Sequence, residues 1–109
     1  MYSGLIIKES LINEQILDEI EILNVEIWKT DNVPKYWTAI SFISHSENFP
    51  EHLSKAIGTS SESGMVWYVD IRDDVYKYIV FKDIVLKYHI GNAEEKKKIC
   101  ERCIELGVK

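Results

Sequence analysis

An α+β fold with an antiparallel sheet is the architecture this sequence predicts, and three observations carry that expectation. Apolar runs bounded by turn residues alternate with stretches whose apolar residues recur at helical spacing, the two periods that separate strands from helices. Two β-rich runs, residues 65–71 and 75–81, flank the acidic stretch Arg72-Asp73-Asp74, which spells a hairpin. Asn92, with Glu95 one helical turn on, then opens a last helix in the manner of a capping box.

Taken in order, residues 4–8 hold the continuous run Leu5-Ile6-Ile7, which suits an interior strand. Ser10 or Asn13 can cap a helix in which Ile12, Ile16, Ile20 and Leu23 form one buried stripe and Asp18, Glu19 and Glu21 a solvated face. From residue 24 to 30 the pattern alternates, with Val25 and Ile27 on one side and Glu26 and Trp28 on the other. Asp31-Asn32-Val33-Pro34 carries turn chemistry, and a longer strand spans 36–45. Ser46 or Asn48 starts a second helix, with Pro50 tolerated in its first turn and Gly58 ending it. Residues 58–64 are small and polar and form a loop before the strand that begins at Met65. A further short strand occupies 84–90, and Gly107 closes the terminal helix. The first six elements follow the ferredoxin-like βαββαβ order, with a C-terminal β-β-α extension.

Composition bounds the rest. The 109 residues suit one domain, 1–109, and 46% apolar with 28% charged residues place it among globular chains. A net charge of −5 disfavours attraction to phosphate backbones or anionic lipid. No apolar run reaches the ~20 residues of a membrane-spanning helix, and the start lacks a basic-then-apolar leader pattern. A cytoplasmic protein with reduced thiols is the expectation, with no membrane and no nucleic-acid partner.

Four segments also resemble a group of small uncharacterised prokaryotic proteins with no assigned activity. They are Gly4-Leu5-Ile6-Ile7-Lys8-Glu9-Ser10-Leu11, Pro34-Lys35-Tyr36-Trp37-Thr38-Ala39-Ile40, Trp67-Tyr68-Val69 and Lys87-Tyr88-His89-Ile90-Gly91. The resemblance spans most of the chain and implies no functional residue.

Candidate chemistry is sparse. Cys100-Glu101-Arg102-Cys103 has the C-x-x-C spacing of a redox dithiol or half a zinc site. Lying late in the terminal helix, where the dipole opposes a thiolate, and at helical spacing with Ile104 and Gly107, both cysteines are expected on a buried stripe as packing residues. His45, His52 and His89 stand at no ligand spacing to one another, so no metal or cofactor is expected. Asp70, Asp73 and Asp74 around Arg72 could serve a small enzyme, alone or with a histidine beside an aromatic pocket, although Asp is equally at home in a hairpin turn. Lys35-Tyr36-Trp37 sits where an RNA-recognition module carries its signature, but the glycines of that signature are missing.

Alternation identifies a second sheet face. If Thr38, Ile40 and Phe42 face the helices, Trp37, Ala39, Ser41, Ile43 and His45 face away, joined by Ile6, Trp28, Val66, Tyr68 and Asp70, while Trp67, Val69 and Ile71 point inward. An apolar aromatic face of this kind needs a cover, because large open patches invite association. The terminal helix, a second copy forming a homodimer, or a protein partner can supply it, and any small-molecule ligand is left open. The expected function is therefore a non-enzymatic binding or regulatory module acting through Trp28, Trp37 and Tyr68.

Overall fold

The computed structural model describes residues 1–31, 35–60 and 66–108. A single open sheet organises them. Its strands are β1 (Tyr2–Ile7), β2 (Glu21–Lys29), β3 (Tyr36–Ser44), β4 (Val69–Arg72), β5 (Tyr76–Phe81) and β6 (Ile84–His89). They pair in the order β2-β3-β1-β4-β5-β6, every neighbour antiparallel. Two α-helices complete an α+β fold: α1 (Phe49–Ala56) between β3 and β4, and α2 (Ala93–Glu105) at the end.

The register divides the side chains between two faces. Gly4 pairs with Phe42 and with Ile71, Ile71 with Tyr78, and Val69 with Val80, so Ile6, Phe42, Val69, Ile71, Tyr78 and Val80 share the face that α1 covers. Phe49, Leu53, Ala56 and Ile57 meet them from α1, and together they form the core. Ile6 is fully buried there, which corrects its expected outward placement. A run apolar at three successive positions contains no alternation from which its facing could be read.

The helix expected over residues 12–23 is not formed. The chain instead makes two short 3-10 segments, Lys8–Ser10 and Glu14–Glu19, and then enters β2 at Glu21. Backbone groups near the start of this stretch are committed elsewhere. The N–H groups of Ile12 and Asn13 both reach the Ala56 carbonyl at the end of α1, at 2.7 and 3.2 Å, and Gly58 donates back to Ser10 at 2.8 Å. Ile16 is buried, but Ile12 and Leu23 are 66% and 59% exposed, so no single stripe exists. β-branched isoleucines favour the nine-residue ladder that β2 makes with β3, with a register shift between Ile22 and Asn24.

Other boundaries moved less. α1 ends at Ala56, before Gly58, and Asn48 enters it in the left-handed region (φ 59°) with Pro50 in the first turn. β4 begins only at Val69; Val66 makes an isolated bridge to Ser60, and the expected start at Met65 lies outside the described residues. Of the turn assigned to Asp31-Asn32-Val33-Pro34 the last three residues, and most of the 58–64 loop, also lie outside them.

The hairpin and the last helix form as their local chemistry dictates. Asp73 Oδ1 accepts the N–H groups of Val75 and Tyr76 at 2.8 and 2.7 Å, and Oδ2 accepts the Tyr78 hydroxyl at 2.8 Å. Burial acts to raise the Asp73 pKa, but these hydrogen bonds outweigh it and hold the carboxyl below its ordinary range. Asn92 Oδ1 caps α2 by accepting the Glu95 N–H at 3.0 Å. Gly107 (φ +106°) ends it: its own N–H bonds to the Ile104 carbonyl and that of Val108 to Cys103, the two bonds of a Schellman closure.

Candidate functional site

The face turned away from α1 is covered along one half only. Its β5 and β6 residues Ile79, Phe81 and Tyr88 are buried. They lie where α2 returns across the sheet, with Leu106 beside Val66, Phe81 and Ile84, and Gly107 against Val66. The stripe α2 turns inward is Ile99, Cys103 and Leu106, each half-buried. Cys100 is exposed and Ile104 is 67% exposed, so the expected Cys100-Cys103-Ile104-Gly107 stripe is rotated by one position. Glu95 explains the rotation: its carboxylate accepts the backbone N–H of His89 at 2.9 Å and meets the His89 ring at 2.8 Å, fixing the first turn against β6. Burial, then the nearby Cys100 and Asp70, push the Cys103 thiol upward, away from the thiolate that redox or metal chemistry uses.

Beside α2 the other half of this face lies open as a groove of about 300 Å³, lined by Leu5, Ile7, Trp28, Trp37, Val66, Trp67, Tyr68 and Asp70. Four neighbouring strand paths build it. Trp28 and Trp37 stand opposite each other across the β2–β3 ladder, Leu5 and Ile7 lie on the same face of β1, and Val66 to Asp70 lead into β4. The structure thus brings together Trp28, Trp37 and Tyr68, the residues singled out by alternation. Trp28 is 40% and Tyr68 47% exposed.

Trp67 was missed. It was expected to point inward, and it does belong to the buried core cluster, but it also forms part of the groove's lining. It is buried, and its ring centroid lies 5.2 Å from that of Trp37 with the planes at 58°, so the two indoles form a corner and not a stack. The Trp28 indole N–H donates to Glu26 Oε2 at 3.0 Å, and Asn24 Nδ2 donates to the other oxygen of the same carboxylate at 3.3 Å. Trp37 Nε1 is buried with no hydrogen-bond partner among the described residues. At the far end Asp70 Oδ2 meets Lys77 Nζ at 3.2 Å.

The other candidates do not converge on this groove or on one another. Asp73 is spent on the hairpin turn, and Asp74 is exposed. His45 is exposed, His52 pairs with Glu19 at 2.8 Å, and His89 pairs with Glu95 and stacks obliquely on Tyr76. Ser46 Oγ donates to the same Glu19 oxygen that His52 meets, and together these bonds hold that carboxyl below its ordinary range despite some burial. Ser46 and His52 therefore share an acceptor, which is the opposite of a serine handing its proton to a base. Among the described residues no group of three or more His, Cys, Asp or Glu side chains is placed to hold a metal ion. No described helix is long and apolar enough to cross a membrane.

Compared with known proteins, the chain matches no family model, and no curated protein or solved structure was found to match it.

Proposed function

We propose that this protein is a cytosolic, non-enzymatic binding module whose working surface is the aromatic groove between β2 and α2. One observation carries the reading: α2 covers the β5–β6 half of the second sheet face and stops short of Trp28, Trp37 and Tyr68. A groove of this size, apolar and aromatic with one carboxylate at its end, has the character of a ligand or partner site. Among the described residues no free titratable pair faces it, since Asp70 is bonded to Lys77 and both His52 and His89 are engaged elsewhere, which supports binding over catalysis. Among the described residues the one charge in its lining is negative, which argues against phosphate and hence against nucleic acid.

The same reading treats the first four strands as a ferredoxin-like core. β1 lies between β3 and β4, the strands that α1 connects, which is the splitting that defines the motif; a 3-10 segment stands where the first helix would be.

The test uses Trp28→Asp, which changes an exposed edge position without touching the core. The parent should take up a neutral apolar dye such as Nile red, or self-associate in sedimentation. The variant should lose that behaviour while melting within a few degrees of the parent. A parent that neither binds the dye nor associates would defeat the proposal.

A further inference from the structure

Resting on the reading of the groove as a working surface, we infer that it takes a quaternary ammonium ion, the trimethylammonium head of a small molecule. Among the described residues three indoles and a phenol line it together with a single charged group, the carboxylate of Asp70, and no basic residue. Aromatic faces attract cations through their quadrupole, and tryptophan does so most strongly. Trp67 is buried and packs against Trp37 at 58° with centroids 5.2 Å apart, so it backs the Trp37 ring while Trp28, Trp37 and Tyr68 present the aromatic surface a rounded head can touch. A second carboxylate, Glu26, accepts the Trp28 indole N–H at 3.0 Å and adds its negative charge at the opposite end. The chain as a whole carries −5, which concentrates cations at its surface.

The lining also distinguishes between kinds of cation. A primary ammonium brings three N–H donors and a guanidinium five, and each donor stripped of water needs an acceptor. Among the described lining residues few side chains can accept: Asp70, already shared with Lys77, and the hydroxyl of Tyr68. A quaternary ammonium has no N–H to satisfy and is weakly hydrated, so it alone enters without leaving donors unpaired. The Asp70–Lys77 pair joins two partly exposed side chains, and so exposed a pair leaves the carboxylate open to a second cation.

The experiment titrates the full chain with choline chloride, with 3,3-dimethylbutan-1-ol, its neutral isostere, and with sodium chloride, following the three indole N–H resonances by NMR. Choline should shift the Trp28 and Trp37 resonances saturably and bind about tenfold tighter than the isostere, as expected of a cation held by several aromatic faces. Asp70→Asn should weaken choline several-fold and leave the isostere unchanged. Equal binding of choline and isostere would overturn the inference while leaving the groove a binding site for apolar ligands. Shifts reproduced by sodium chloride, or none with any additive, would also overturn it; the dye and sedimentation measurements then decide the broader reading separately.

Discussion

Replacing Gly4 with alanine is expected to strain the sheet at its centre. Gly4 lies on β1 between Phe42 of β3 and Ile71 of β4, beneath the core. An alanine Cβ would stand 2.7 Å from Ile71 Cγ2, 2.8 Å from the Asp70 carbonyl oxygen and 3.3 Å from Ile71 Cα. Two of these atoms are backbone, and the third belongs to a side chain only 1% exposed, so rotation cannot relieve the clash and β4 must move. Overpacking of this kind costs about 1–3 kcal/mol, and contact with backbone places it in the upper part of that range. Alanine restricts the unfolded chain and recovers about 0.4–1 kcal/mol. The net loss is about 1–2 kcal/mol, or roughly 4–8 °C in melting temperature for a chain of this length. Urea and thermal unfolding followed by far-UV circular dichroism measure it. Because Asp70 carries both the obstructing carbonyl and the carboxylate of the groove, choline affinity should fall in the same variant. An unfolding midpoint equal to or above that of the parent would refute the packing argument.

Trp37→Phe removes a buried indole N–H that has no partner among the described residues. Relief of that penalty, about 1–3 kcal/mol, should offset much of the lost ring area and leave the urea midpoint nearly unchanged; a loss above about 3 kcal/mol would show that the N–H is satisfied. Asp73→Ala takes three hydrogen bonds from the β4–β5 turn and should cost about 1.5–3 kcal/mol at neutral pH. Since the folded pKa of Asp73 is depressed, its contribution is complete above the unfolded value near 4 and is lost as pH falls through the folded one. Stability of the parent should therefore drop on acidification below about pH 4, and the variant should show a flatter acid limb. Gly107→Ala puts a side chain at φ +106° and a Cβ 2.9 Å from Val66 Cγ2, so it should fray the end of α2 and speed hydrogen exchange at Leu106 to Val108.

Signals confined to a few neighbouring residues were legible in the sequence. Asn92 and Glu95, Gly107 and the Asp73 turn each act through backbone groups within a few positions, and each operates as its chemistry suggests. Alternation also placed Trp28, Trp37 and Tyr68 on one face, because β2 and β3 pair in regular register from Asn24 to Lys29. What was not legible depends on distant partners. Ile12, Ile16, Ile20 and Leu23 fit a helical stripe, yet the carbonyl of Ala56 and the free flank of β3 claimed the chain first. The phase of α2 was set by a hydrogen bond that the His89 N–H donates to the Glu95 carboxylate, which no spacing rule contains. The double placement of Trp67, in the core as alternation expected and also beside Trp37 in the groove's lining, depends on which strands come to lie next to it.

β2 has a consequence of its own for how this chain behaves in quantity. It is an outermost strand, exposed at every residue, with Ile22, Leu23, Val25, Ile27 and Trp28 open to solvent. Unpaired N–H and C=O groups along such an edge are a template for any extended segment that drifts alongside. The irregularity at Leu23 breaks that template after two pairs, and Glu21, Glu26 and Lys29 carry charge into an approaching strand. This is partial insulation, and it sets a ceiling on crowding: dilute molecules leave the edge idle, whereas in a concentrated solution or an overexpressing cell it is the seam along which one molecule is stitched to the next.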